Sequence, residues 1–413
     1  MPMKTPYRVI NPPEFVFAYR DRVRALRNQN WNSLYNAFQS GNRKKLRRKK
    51  AFYFENEANR AAYLYEAGLR FPNTRDWETE LAYFQPLEPL RHAIDWWRSP
   101  KSNGGYRYVC DLSAHMKAAH LMVADVIRAQ MEVPCFIYNV KRSDYRADGT
   151  GRNALVSKLL EKLSAGYIHY RVFDVRDCFN SVNPDAIKRL PLPWRIYENT
   201  LKLSNLNLRH DIVRDQRHID DTTGKGIIIH AGGASGPEGL LQGSPSSNVV
   251  LAYLLQDLPQ PCPQDGCVLL FGDDLIALSR TATIAERVDE TVTQFFEQPD
   301  LGPLHLHRRA AGHGGHFEYL GYEFIFSETT GDWHVSLSAR NWDKLTRARN
   351  DEALRHWPMY GSGVDFHIRR RMMRSLSGHP ALSDVNGVAD ALVYGGWDLA
   401  ELAAHDQQVN RRL

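Results

Sequence analysis

Two adjacent carboxylates, Asp273 and Asp274, stand inside VLLFGDDLIALS (Val268–Ser279), whose other residues suit a buried strand. Burying a carboxylate without a partner is costly, and a like charge beside it adds to the cost. Three arrangements relieve such a pair: an exposed turn, neutralisation by basic side chains, or neutralisation by metal ions. Gly272 and Asp273 suit the centre of a type II′ hairpin loop, which takes Gly first. The predicted reading is a strand over Val268–Phe271, a turn, and a strand over Asp274–Leu278. A third carboxylate, Asp174 in YRVFDVRDCFNSV, also follows a strand. Two metal ions about 3.5–4 Å apart clamp the attacking and leaving oxygens of a phosphoryl transfer. Mg²⁺ takes oxygen ligands in near-octahedral geometry and keeps several waters. One strand-end Asp plus an Asp pair on a hairpin meets that need, and metal charge offsets the clustered carboxylates.

The elements that must position these residues are legible as patterns. Residues 1 to about 98 read as mainly helical, with apolar residues at helical spacing in NEANRAAYLYEAGLRF and LEPLRHAIDWWRS. SPKSNGGYRYVCDLS then turns and alternates like a strand. AHMKAAHLMVADVIRAQM and ALVSKLLEKLS read as helices, and YIHYRVFDVRDCF as a strand of β-branched and aromatic residues. In NPDAIKRL, Asn183 is placed as N-cap with Pro184 at the first helical position. The polar, Gly-rich stretch from about Asp215 to Gly239 reads as a loop or a short hairpin. SPSSNVVLAYLLQDL and TIAERVDETVTQFFEQ read as helices flanking the hairpin, and FEYLGYEFIFSETTGDWHVSLS as two strands around a turn. From Ala339 onward the pattern is helical.

With 413 residues the chain exceeds one typical core, so two or three domains or subdomains are expected. A hydrophobic content of 43% and a charged content of 24% are those of a soluble globular protein. No apolar stretch is long enough to span a bilayer, and MPMKTPYRVI lacks the apolar run of a secretory signal. Five cysteines without zinc spacing imply a reduced, cytoplasmic protein without structural zinc. The histidines, among them His305, His307, His313 and His316, show no metal spacing either. Net charge is +6 and unevenly spread. The segment Arg43, Lys44, Lys45, Leu46, Arg47, Arg48, Lys49, Lys50 is basic at all but one position. RNWDKLTRARN and FHIRRRMMRSL add two basic segments near the C-terminus. Together they favour a polyanion partner over a set of solvated helix faces. The first run is expected to contact phosphates and set salt dependence more than sequence choice.

The order of motifs resembles the fingers and palm of reverse transcriptases, particularly the compact prokaryotic ones, over about residues 95 to 330. FDVRDCFNSV resembles their motif A, and GLLQGSPSSN (Gly239–Asn248) resembles motif B with its Gln-Gly-x-x-x-Ser core. FGDD (Phe271–Asp274) resembles the Tyr-x-Asp-Asp box, with Phe271 in place of Tyr and Gly272 at the variable position. FEYLGYEF (Phe317–Phe324) resembles the turn that grips the primer, and GGYRYVCDLSAHMKAAH (Gly104–His120) the fingers strand that bears a triphosphate-binding Arg. The resemblance implies Asp174, Asp273 and Asp274 as catalytic metal ligands, with the carbonyl of Val175 completing a site for two Mg²⁺ ions (or Mn²⁺). It implies Arg107, Lys101, Asp177, Phe179, Gln242 and Gly243 around the incoming nucleotide, and Leu320 and Gly321 against the primer. Phe179 lies where DNA-making relatives place an aromatic against the sugar, which argues for deoxynucleotides. Arg308 or Arg309 stands where the family carries a Lys, and an Arg is a poor proton donor given its high pKa. The insert DTTGKGIIIHAGGASG has no counterpart in that pattern.

The expected fold is α+β. It is a right-hand polymerase with a basic helical extension (1–98), fingers and a palm of antiparallel sheet backed by helices (99–330), and a helical thumb (331–413). The expected reaction is addition of dNTPs to a 3′-OH on an RNA template, with a DNA product. The resemblance extends to retron and anti-phage defence enzymes, which work with a dedicated structured RNA. Two alternatives stand beside it. One is an RNA-dependent RNA polymerase, favoured by Gly-Asp-Asp and opposed by Phe179. The other is a catalytically idle RNA-binding scaffold of the same fold.

Overall fold

The computed structural model describes residues 14–69, 74–101, 106–140, 151–214, 236–262 and 264–340. The region read as a thumb beyond residue 340, both C-terminal basic segments apart from Arg340, and residues 215–235, which hold all of the insert but Gly236, lie outside the described residues.

Asn42 and Asn56 each accept the backbone N–H three residues ahead, and so open helices α2 (Arg43–Glu55) and α3 (Glu57–Glu66). Both pack on the long α1 (Glu14–Gln39), and α3 packs on α5 (Ala114–Arg128), which Ser113 caps. Tyr53 and Tyr63 join hydroxyls at 2.6 Å in this core, and Tyr63 donates to Asp125 of α5. Helix α4 (Thr74–Tyr83) follows, its C-terminal end held where Arg60 donates to the carbonyls of Leu81 and Phe84.

Strand β1 (Ile94–Pro100) corrects the helical reading of LEPLRHAIDWWRS. Ile94 and Trp96 are buried and alternate with more open neighbours, a period of two that the helical template masked. Its pairing is non-local: antiparallel with β2 (Tyr106–Asp111) and parallel with the short β4 (Leu208–His210).

The central sheet runs β5-β6-β3-β7. It comprises β3 (His169–Val175), β5 (Gly266–Phe271), β6 (Asp274–Ser279) and β7 (Leu306–His313), all antiparallel to their neighbours. Both faces are covered, so β5 and β6 read as near-continuous apolar runs. Phe173, Leu270, Leu275 and Ala277 face a core shared with α5 and with helix Ala282–Phe296. Tyr170, Val172, Leu269 and Ile276 face α6 (Arg152–Ser164) and a second sheet. That sheet has three strands, β8 (His316–Tyr319), β9 (Tyr322–Ser327) and β10 (Asp332–Leu337), where two were expected. Strand β7 was not anticipated either: its polar composition hides an edge strand exposed at most alternate positions. The chain is thus α+β with antiparallel pairing throughout its main sheet.

Short helices α7 (Cys178–Ser181), α8 (Pro184–Lys188) and α9 (Trp194–Ile196) follow β3. Asn183 caps α8 with Pro184 next, as read from the sequence, although the helix is only five residues long. Helices α10 (Ser247–Leu254) and α11 (Ala282–Phe296) complete the described elements that back the sheet.

Candidate active site

The β5–β6 hairpin closes over two residues, with Phe271 paired to Asp274. Gly272 has φ +69° and Asp273 does not share a positive φ, which is the type II′ sign pattern expected from the sequence. The hairpin tip therefore sits at the end of β6, and register does the rest. Asp174 of β3 lies directly opposite Asp274 of β6. The N–H of Val175 donates to the carbonyl of Asp273 at 3.2 Å, which pins the turn to the end of β3. The 100 residues that separate Asp174 from Asp274 in sequence thus collapse to neighbouring positions on one sheet end.

Asp273 and Asp274 are half-buried at this end, and both respond. Burial, then the charge of Asp273, pushes the Asp274 carboxyl up to about 7. Asp273 is also raised, first by burial and then by Asp174, against the opposing fields of Arg107 and Arg309. Arg309 is the cation nearest at hand. Its Nη1 donates to Asp274 at 3.2 Å and its Nε stands 3.8 Å from Asp174. A β-bulge aims it: Val172 pairs with Ala310 and Phe173 with Arg308, so Arg309 is the extra residue on β7. Arg308 turns instead to Asp289 of α11.

The other expected nucleotide residues gather by backbone links. The carbonyl of Phe179, on α7, accepts the N–H of Leu240 at 2.6 Å. A Cβ on Gly239 (φ +66°) would lie 2.5 Å from that same carbonyl, so the approach of the two segments requires glycine. Gln242 forms a parallel bridge to Val109 of β2, and its carbonyl accepts the N–H of Cys110 at 2.9 Å. At Gly243 (φ +99°) a Cβ would meet the Cys110 carbonyl at 2.7 Å. The close approach that this glycine permits is therefore to β2. Arg107, exposed on β2 opposite Ser99, reaches Asp273 through its field. Lys101 is ion-paired with Asp177, so these two charges satisfy each other. Asp177 itself adopts a left-handed φ of 48° at the start of α7. Phe179 is partly buried at the rim of the helical core, while Cys178 beside it is fully inside.

Leu320 (φ 52°) and Gly321 (φ 81°) form the β8–β9 turn, both left-handed as a type I′ loop requires. Tyr319, just before it, donates its hydroxyl to the carbonyl of Asp274 at 3.2 Å. That bond ties the second sheet to the carboxylate hairpin. The sequence reading did not single out Tyr319, nor the buried His120, whose Nδ1 lies 2.7 Å from Ser246 and 2.8 Å from Ser244. Burial pushes His120 down to about 3, so it is a neutral strut between α5 and the turn after Gly243. A His on the apolar face of α5, set against a Ser-rich turn, was the available signal.

The basic run occupies α2. Arg43, Lys44, Lys45, Arg47 and Arg48 are exposed, whereas Lys50 donates to the carbonyl of Pro191 at 3.0 Å and is half-buried. The donor chemistry of Asp174, Asp273 and Asp274 fits Mg²⁺, since all three offer hard oxygens and two are held in an environment that resists their charge. Among the described residues, however, no three His, Cys, Asp or Glu side chains stand grouped closely enough to grip one ion. With Arg309 bonded to Asp274, the side chains would have to re-aim to hold one.

No family model matches the sequence, and no curated protein matches it. Among solved structures, telomerase from Candida albicans in complex with a TWJ fragment of telomeric RNA overlays with a TM-score of 0.36 at 13% identity, covering 78% of this chain and 63% of that one. Apo telomerase from Candida tropicalis, truncated from the C-terminal domain, overlays at 0.33 and 15% identity, covering 61% of this chain and 56% of that one. The chain spans less than two thirds of either telomerase chain, and overlays this loose carry no functional argument. The weight rests on the site.

Proposed function

We propose that the chain is an RNA-directed DNA polymerase that adds dNTPs to a primer 3′-OH. One observation carries the reading: Asp174, the Asp273–Asp274 hairpin, the Phe179–Gly239 contact, Gln242 and Arg107 come from four separate stretches of sequence and are linked in series around one sheet end. An exposed hairpin tip needs none of these links, and two raised carboxylates are the signature of a site that awaits positive charge. Asp174, Asp273 and Asp274, with the Val175 carbonyl, would hold two Mg²⁺ or Mn²⁺ ions. Such ions supply electrostatic stabilisation of the attacking and leaving oxygens. Arg107 would orient the triphosphate, because its planar fork matches phosphate oxygens. Lys101 and Asp177 would have to exchange their mutual pair for substrate contacts. Phe179 would crowd a ribose 2′-OH, and Gln242 would line the base pocket. Leu320 and Gly321 would set the primer end, held to Asp274 through Tyr319. Positioning and electrostatics then do most of the catalysis.

On the same reading the three subdomains are an extension over 1–98, fingers and palm over 99–330 and a thumb over 331–413. The biological setting proposed is a cytoplasmic anti-phage role with a dedicated structured RNA. Among the described residues no helix is long and apolar enough to cross a membrane. Phage plating efficiency should rise to that of a gene deletion when Asp273 and Asp274 become Asn.

The decisive assay is extension of an RNA-templated primer with Mg²⁺, offering dNTPs and rNTPs separately. Preferential dNTP incorporation, lost in Asp273→Asn/Asp274→Asn, is the expected result. Preferential rNTP incorporation would instead establish the RNA polymerase alternative that Gly-Asp-Asp favours. Incorporation of neither, with or without co-purified RNA, would leave the idle scaffold.

A further inference from the structure

The segment after α8 carries, at the start of α9, an exposed aromatic that neither the core nor the catalytic carboxylates explain. Trp194 is 55% exposed. The Lys188 ammonium stands 5.7 Å from its ring centre, and the ring of Tyr197 lies 5.1 Å away, tilted by 40°. Tyr197 in turn lines a cleft of about 560 Å³, together with Asn180, Asn183, Lys202, Ser204 and Glu238. Gly239 also lines that cleft, and it is the residue packed on the Phe179 carbonyl five residues after Asp174. In the opposite direction the segment is fastened to α2, where Lys50 donates to Pro191 at 3.0 Å. Arg43 and Arg47 lie seven and three residues before Lys50, which places them on the same side of the helix. Both are exposed, and neither has an acidic partner among the described residues. Arg189 and Arg195 of the segment are committed to Asp300 and Glu88.

From this continuity we infer that the surface running from α2 over Trp194 into the cleft that Tyr197 lines is a track for single-stranded nucleic acid. Unpaired cations along α2 suit a phosphate backbone, and an exposed ring flanked by an ammonium suits an unpaired base. A duplex has no free base face to offer Trp194, so the track selects a single strand. The cleft then delivers that strand to the end of β3. The inference deepens the polymerase reading by placing its strand path, but binding is measured without catalysis, so either can fail alone.

The test is fluorescence anisotropy of a labelled oligouridine RNA with the full chain, without dNTPs. Trp194→Ala should weaken binding at least about fivefold, the effect of losing one base–aromatic stack. Arg43→Gln/Arg47→Gln should lower the magnitude of the log–log salt slope by about 1.4, for two phosphate contacts on a single strand. The exposed ring can be removed without unfolding, and an unchanged melting temperature checks this. A second readout is photo-crosslinking of 4-thiouridine RNA, expected on the peptide containing Trp194 and Tyr197. Wild-type affinity in both variants, crosslinks confined to other peptides, or a duplex bound as tightly and with the same Trp194 dependence would overturn the inference.

Discussion

Arg309 shows what one side chain does for three carboxylates. It stands beside Asp174 and Asp274, where a metal ion would stand on the proposed reading, because a bulge makes it the unpaired residue of β7. Arg309 is 49% exposed, so its ion pairs stabilise the fold by less than about 1 kcal/mol. Its larger effect is on the ions, since a guanidinium at that position competes with them. In Arg309→Ala, thermal protection by Mg²⁺ should therefore begin at lower Mg²⁺ concentration than in the wild type, with metal-free stability slightly reduced. A requirement for more Mg²⁺ would sink this account and make Arg309 part of the ion site's support. Phe179 is the second informative side chain. Its partial exposure leaves room to shorten it, and Phe179→Val should raise rNTP incorporation relative to dNTP in the extension assay. Unchanged sugar selectivity would remove Phe179 from that role. The sequence singled out Phe179, and Arg309 only as one of two residues standing where a Lys was expected; the bulge that aims Arg309 at the carboxylates was not legible. A bulge depends on how β7 pairs with β3, and no local pattern encodes the register of an edge strand with polar composition.

Helix α7 and the turn carrying Gln242 meet backbone to backbone. Gly239 is wedged against the carbonyls of Phe179, Asn180 and Val182, at 2.5, 2.9 and 2.9 Å from any Cβ placed there. Its φ of +66° adds strain for an L side chain. Backbone on the α7 side cannot give way as a flexible side chain would. Gly239→Ala should therefore destabilise the chain by about 2 kcal/mol or more and separate α7 from the turn carrying Gln242. Denaturant unfolding measures the first effect, and loss of extension activity the second. A variant within 0.5 kcal/mol of the wild type, a difference typical of neutral surface changes, would mean the segments are free to shift. Local patterns did identify most elements: β2, β3, α5, α6 and the carboxylate hairpin all lie where spacing and turn residues put them. The failures share a cause. Strand β1 was hidden by Trp96 and Trp97, which satisfy a helical template as well as an alternating one, and only pairing with β2 and β4 decides between them. Tyr319 and His120 act through partners 45 and 126 residues away in sequence, a distance over which residue type alone carries no information.

At the scale of the whole molecule, two buried groups set opposite responses to acid. His120 is held neutral, with its pKa lowered from 6.5 to about 3 by burial. The unfolded chain binds that proton first, so His120 costs stability as pH falls from 6.5 toward 3. Asp274 behaves in reverse. Its pKa is raised from 3.8 to about 7, so the folded state binds the proton first and gains stability as pH falls from 7 toward 3.8. The two windows overlap, and in the metal-free wild type they offset each other over much of their range. Asp274→Asn removes one of the opposing responses. The variant should melt higher than the wild type at pH 8 without metal, because a strained charge is gone. It should then lose stability more steeply below pH 6.5, as His120 is opposed by one raised carboxyl fewer, so that the two melting curves converge toward pH 4. Mg²⁺ separates the causes: bound near Asp274 it favours the ionised carboxylate, so it should raise the wild-type melting temperature at pH 8 and leave Asp274→Asn much less affected. Melting temperatures measured from pH 4 to 8, with and without Mg²⁺, decide the matter. Parallel curves for the two proteins would mean that Asp274 titrates as an ordinary exposed carboxylate, and the hairpin would then be a solvated turn rather than a site built for positive charge.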